Sequence, residues 1–324
     1  MPIPAAFRGR FRVPAIAAPM FLVSGPELVI GACRAGVAGT FPALNARPAA
    51  ELDGWLAHIG AALAAHDRDH PGAPSAPYGI NLILHRSNVR LEEDLATIVR
   101  HRVPLVITSL GHPGEVVKAV HGYGGVVFSD VIHAEHARKA IAAGVDGIIA
   151  VSAGAGGHAG TQSLVSLVRE IRGFWDGALV AAGSISDGTA IRAAEVLGAD
   201  FAYMGTRFIA TREALAPEAY KRMLVECGAS AIVYTDAISG TNANYLWPSL
   251  EKAGFVREAL VAGTAKGTLH DLGSEARAWR DVWSAGQGVA SIDDVPPVAA
   301  LVERLAAEYQ RACALPPSAA LRGR

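Results

Sequence analysis

The sequence predicts an α/β protein, a (β/α)8 TIM barrel with a C-terminal helical and loop extension. Eight short runs rich in Val, Ile and Ala, bounded by Gly, Ser, Asn or Pro, read as strands buried on both faces. The runs start about 27 residues apart, the length of one βα unit with short loops. All eight are complete before residue 210 with no long central crossover, which favours closure over an open doubly wound sheet.

In chain order, residues 14–18 (PAIAA) and 37–41 (VAGTF) open the series, and residues 78–84 (YGINLIL) carry Asn81 inside a strand. Residues 105–109 (LVITS) and 125–129 (GVVFS) are continuous apolar runs closed by serine. Residues 147–151 (GIIAV) lead towards a glycine-rich loop, while 179–182 (LVAA) and 201–204 (FAYM) run into Gly-Ser and Gly-Thr. Between them lie helical stripes. In residues 134–144, Ala134, Ala137 and Ile141 share one face and Glu135 and Lys139 form an i,i+4 pair on the other. Similar stripes mark 91–100 and 190–197, and residues 67–77, with three prolines and a glycine, read as a surface loop. No strand series is evident beyond Arg207. Residues 1–324 are therefore expected to form one domain, with 212–324 partly an added helical segment covering the barrel mouth.

A formal net charge of −1 without a Lys/Arg stripe argues against nucleic acid as a partner. No apolar run is long enough to span a bilayer, and the first residues lack the apolar core of a secretion signal, so a cytoplasmic protein with no membrane partner is expected. Cys33, Cys227 and Cys313 fit neither a disulfide framework nor a CxxC metal site and read as reduced thiols.

Barrel chemistry sits on the loops that follow the strands. Two such loops, Gly183-Ser184 and Gly205-Thr206, combine glycines that allow close backbone approach with hydroxyls and a following helix N-terminus, a pattern suited to phosphate. After the sixth run, His158 stands among Gly154, Ala155, Gly156, Gly157, Ala159 and Gly160, small residues that leave the imidazole bare. Ala17, Ala18, Pro19 and Met20 form an uncharged lip, and a buried Asn81 needs polar partners, which a flat polar ring or a neighbouring strand would supply. His85, His112, His133 and His136 follow other strands. A metal hydrolase would gather such residues, but no paired His-x-His is present and no metal site is expected. Arg207 is placed either at the phosphate or at the barrel rim, and Tyr245, Trp247 and Trp283 either at the pocket or in surface packing.

AAPM at 17–20, NL at 81–82, AGGHAG at 155–160, AAGSISDG at 181–188, MGTRF at 204–208 and WSAGQG at 283–288 together resemble the nitronate monooxygenase (2-nitropropane dioxygenase) family over nearly the whole chain. The resemblance implies non-covalent FMN, with its phosphate on Gly183, Ser184, Gly205 and Thr206 and its ring near Pro19, Met20 and Asn81. Ala18, Asp130, Gly157, Ala182, Met204 and Gln287 complete the expected cofactor surroundings, and His158 matches the family's catalytic histidine. In the family, alkyl nitronates or nitroalkanes react with O2 to give a carbonyl compound and nitrite. The chain departs from some relatives at Ser129 and Asp130, where they carry Lys, and at residues 151–154, where they carry Gln and Glu. Since the same barrel serves NAD(P)H-dependent flavin reductases acting on quinones or an enoyl thioester, that activity is the alternative. A monomer or homodimer fits either reading.

Overall fold

The computed structural model describes residues 3–261 and 282–316. Strands are numbered in chain order. β1 (Ala15–Ala17), β2 (Ala38–Pro42), β3 (Gly79–Ile83), β4 (Leu105–Ser109), β5 (Val126–Val131), β6 (Gly147–Val151), β8 (Ala178–Ala182) and β9 (Phe201–Met204) form a closed parallel barrel. β1 closes it by pairing with both neighbours, Ile16 opposite Ala38 and Ala17 opposite Met204. Each predicted run matches its strand to within a residue or two.

The strands are apolar throughout because both faces are buried. Ile16, Leu105, Ile107, Phe128, Ile149 and Val180 fill the barrel interior, while Ile80, Leu82, Val106, Val127, Ile148 and Leu179 pack outwards. The amino-terminal segment seals the lower end: the Phe7 ring lies 5.9 Å from Phe128 and 6.1 Å from Phe201. Space for a ligand is thereby left at the carboxyl ends of the strands, as barrel geometry favours.

The helices form where the stripes predict them, at Leu91–Arg100, Ala134–Ala142 and Gly188–Leu197. Lys139 Nζ donates to Glu135 Oε1 at 2.7 Å on the exposed face of the second. The expected surface loop at 67–77 is shorter than its proline content suggested. Helix Glu51–Asp69 runs into it, and Ser75 and Ala76 are buried, their amides donating to Asp67 Oδ1 at 2.7 Å and to the Cys33 carbonyl at 2.9 Å.

The extension contains helices Glu218–Glu226, Trp247–Lys252 and Val298–Cys313, and it also contributes strands, contrary to expectation. β10 (Ile232–Thr235) and β11 (Ala243–Leu246) are antiparallel, and β11 also pairs with β7 (Gly157–His158) from the loop after β6. Two residues are too few to show a period of two, and their partner lies far along the chain, so local pattern could not reveal this sheet. All three cysteines are free, and no helix among the described residues is long and apolar enough to cross a membrane.

Candidate active site

A cavity of about 550 Å³ opens at the carboxyl ends of the barrel strands. β8 and β9 are neighbours, with Ala182 opposite Tyr203, so the residues that follow them, Gly183-Ser184 and Gly205-Thr206, form one wall together. Gly183 has φ +124°, and a Cβ there would lie 2.2 Å from Ser152 Oγ and 2.9 Å from the Ala155 nitrogen, so only glycine fits. Ser184 is held in the left-handed region at φ 57°, a cost of roughly 1–3 kcal/mol that the surrounding contacts must offset. One such contact runs from its amide to the Gly154 carbonyl at 3.2 Å. Thr206 Oγ1 accepts from the Gly286 amide at 2.9 Å, which docks the C-terminal segment on the same wall.

The helix after β8 does not offer the free N-terminus expected of it. Asp187 caps it by accepting from the Ala190 amide at 2.8 Å, and Glu308 Oε2 accepts from the Gly188 amide at 2.8 Å. Two carboxylates already occupy the positive end of that helix. The short helix Thr206–Ile209 starts at the cavity wall.

His158 lines the same cavity. It is not bare. β11 pairs with its strand, Ala243 opposite His158, and Asn244 Nδ2 donates to the carbonyls of Ala153 (2.8 Å) and Ala155 (2.6 Å), fixing the loop that leads to it. His158 Nε2 lies 3.5 Å from Ser239 Oγ, which accepts from Tyr245 Oη at 3.2 Å and donates to the Thr241 carbonyl at 3.0 Å. Burial disfavours the imidazolium and holds the pKa of His158 below its ordinary value, so the ring is neutral near pH 7.

A polar chain crosses the cavity floor on three successive strands. Asn81 Nδ2 donates to Ser109 Oγ at 2.7 Å and to the Ile107 carbonyl at 3.3 Å, and Ser109 Oγ donates to Asp130 Oδ2 at 2.5 Å. Asn81 thus finds neighbouring strand groups as partners. Burial pushes the Asp130 carboxyl up to about 6, with the Ser109 hydrogen bond acting in the other direction. Tyr203 on β9 faces the same space, its phenol pushed well above its usual range by burial and then by Asp130.

Of the residues singled out from sequence, Ala18, Pro19, Met20, Asn81, Asp130, Gly157, His158, Ala182, Gly183, Ser184, Gly205 and Thr206 all line this cavity. Met204 and Gln287 do not. Strand alternation turns Met204 into the outer core, and Gln287 has an exposed side chain and meets the site through its amide, which donates to the Gly154 carbonyl at 3.0 Å. Trp283 lines the cavity, stacked on Tyr220 at 5.0 Å. Tyr245 is fully buried in the satellite core behind His158, and Trp247 lies under the Arg257 guanidinium. Arg207 is buried at the rim, where it donates to the carbonyls of Ala210 and Asp294 at 2.8 Å. His85, His112 and His133 make local contacts to residues two or three positions on, and no group of metal ligands occurs among the described residues.

Ser109, Tyr203, Tyr220, Ser239 and Asn244 were not anticipated from sequence. A period-two reading of residues 201–204 would have turned Tyr203 inwards, and Ser109 ends a strand at the mouth. The other three lie in the extension, whose pairing is non-local.

The nitronate monooxygenase family model matches residues 78–308. The chain is 30% identical to a nitronate monooxygenase of Neurospora crassa, covering 90% of this chain and 88% of that one. Among solved structures it resembles a nitroalkane oxidase from Streptomyces ansochromogenes at TM-score 0.76 and 26% identity, covering 95% and 99% of the two chains. FabK from Thermotoga maritima, at TM-score 0.75, 24% identity and 94% coverage of both chains, shares the fold. A cavity at the strand ends, a neutral histidine in its wall and a family match over most of the chain agree: the chain belongs to the nitronate monooxygenase family, a family of flavin-dependent oxidoreductases.

Proposed function

We propose that the cavity holds FMN and that the protein oxidises alkyl nitronates and nitroalkanes with O2 to a carbonyl compound and nitrite. The residues present suit this cofactor. Gly183, Ser184, Gly205 and Thr206 would take the phosphate, and the absence of a Cβ at Gly183 is what lets this loop pack against Ser152 and Ala155 and form that wall. Pro19 and Met20 give apolar surface for a planar ring, with Asn81 as a polar group at its edge. When bound, FMN supplies the electron-transfer chemistry with substrate and O2.

The observation that carries the reading is a neutral imidazole in the wall of the cavity that also contains this cradle. His158 is the base that takes the α-proton of a neutral nitroalkane; a nitronate has already lost that proton and does not require it. The stacked rings of Trp283 and Tyr220 give the cavity wall further apolar surface.

The test is an anaerobic titration of the purified yellow protein, with nitrite measured after O2 is admitted. Rapid bleaching by propan-2-nitronate, with nitrite release and no bleaching by NADH or NADPH, is expected. Bleaching by a pyridine nucleotide at a catalytic rate without nitrite formation would replace the reading with that of a quinone or enoyl reductase.

A further inference from the structure

The floor of the cavity carries a carboxyl with no counter-charge among the described residues that line it. Among the described lining residues there is neither lysine nor arginine. The hydrogen-bond chain that reaches Asp130 has a fixed direction. Asn81 must present its amide nitrogen to the Ile107 carbonyl, because the flipped side chain would set two oxygens against each other. The second N–H of that group is then donated to Ser109 Oγ, so the serine has only its own hydrogen to give, and it gives it to Asp130 Oδ2. Asp130 Oδ2 therefore accepts in either protonation state, and protonation falls to Oδ1.

The groups around Asp130 offer no other place for the charge. Asn81 on β3 and Ser109 on β4 are neutral, and Ile149, opposite Asp130 on β6, is apolar. Tyr203 on β9 holds its proton because burial opposes the phenolate. His158 on β7, which also lines the cavity, is neutral. An anion entering this space meets a like charge on Asp130, and two close carboxylate-like charges in a poorly solvated site favour protonation of one.

We propose that Asp130 is the proton acceptor of the cavity floor, so that a ligand bringing negative charge into the cavity binds together with one proton held on this carboxyl. The inference rests on the reading of this cavity as the substrate site. It makes nitronate binding proton-coupled and leaves the binding of neutral nitroalkanes independent of Asp130 ionisation. The raised carboxyl, at about 6, is consistent with a group that is ionised at neutral pH and gains its proton when an anion arrives.

Isobutyrate, similar in shape to propan-2-nitronate, and its uncharged analogue isobutyramide are suitable probes, titrated calorimetrically into the flavin-loaded protein in buffers of different ionisation enthalpy. Between pH 6.5 and 8.5, isobutyrate affinity is expected to fall about tenfold per pH unit, with about one proton taken up, while isobutyramide binding stays flat. In Asp130→Asn the isobutyrate dependence disappears and isobutyramide binding changes by no more than a few-fold, which also reports an intact cavity. In His158→Gln the dependence persists. Uptake retained in Asp130→Asn, uptake lost in His158→Gln, or pH-independent isobutyrate binding to the unmodified protein would overturn the proposal. Failure of isobutyrate to bind at pH 5.5, where isobutyramide still binds, would also overturn it. Binding of neither probe would reject the proposal together with the substrate-site reading, and a colourless protein that behaves as described would reject only the flavin.

Discussion

Ser109 donates to Asp130 across 2.5 Å, and this hydrogen bond stabilises an ionised carboxylate that burial otherwise disfavours. Asp130 has a raised pKa in the folded state, so its ionisation counts against folding. The penalty is absent below the pKa of the unfolded chain, grows as pH rises through about 6 and is complete above that. Asp130→Asn removes it. Thermal melts should show the variant gaining a few degrees over the unmodified protein at pH 8 and little at pH 4.5; an equal difference at both would show that the carboxyl titrates normally.

His158→Ala should retain the cofactor but slow turnover of neutral nitroalkanes by about 10²-fold or more, with much less effect on preformed nitronates. Because burial lowers the pKa of the imidazole, the half-maximal point of nitroalkane turnover in the unmodified enzyme should lie below the ordinary histidine value of 6.5. Initial rates of nitrite release with both substrate forms check this, and equal loss on both would remove the base role.

At Gly183 the obstacle to any larger residue is the Cβ itself, which would meet Ser152 Oγ and the Ala155 nitrogen. Gly183→Ala should therefore already lose most bound flavin and melt lower by about 1–3 kcal/mol. Gly205→Ala is the contrast. Its Cβ would lie 3.8 Å from Ala18 Cβ, an ordinary contact, and its φ is −95°, so the fold should tolerate it. Flavin absorbance relative to protein, read beside the melting curves, separates the two effects.

Asn244→Ala leaves the Ala153 and Ala155 carbonyls short of a donor at a buried site, at a cost of about 1–3 kcal/mol. Since these carbonyls belong to the loop leading to His158, nitroalkane turnover should fall more than nitronate turnover, and amide exchange should rise across residues 153–160. Unchanged exchange there would show that the strand pairing alone positions the loop.

The barrel was legible because its strands are buried on both faces, and Leu105–Ser109 and Gly147–Val151 coincide with uninterrupted apolar runs. That the Gly183-Ser184 and Gly205-Thr206 loops share one wall was legible for a related reason: they follow the last two strands, and adjacent strand ends must meet in a closed barrel. What sequence concealed was pairing over long separations. Asp187 looked like the start of an anion-binding helix, but its own side chain and Glu308 claim that terminus. His158 looked exposed because its neighbours are small, whereas its cover comes from Ala243 and Asn244. Met204, expected beside the cofactor, turns outwards and Tyr203 turns in, because one residue along a strand reverses the face.

A single oxygen, the Gly154 carbonyl, receives amides from Ser184 and from Gln287. Three stretches of chain from different parts of the sequence are clasped at that point, and none can be shifted without loosening the other two. The last third of the polypeptide is accordingly a working wall of the pocket, and trimming the chain before residue 287 should unseat the glycine loop even though every barrel strand remains.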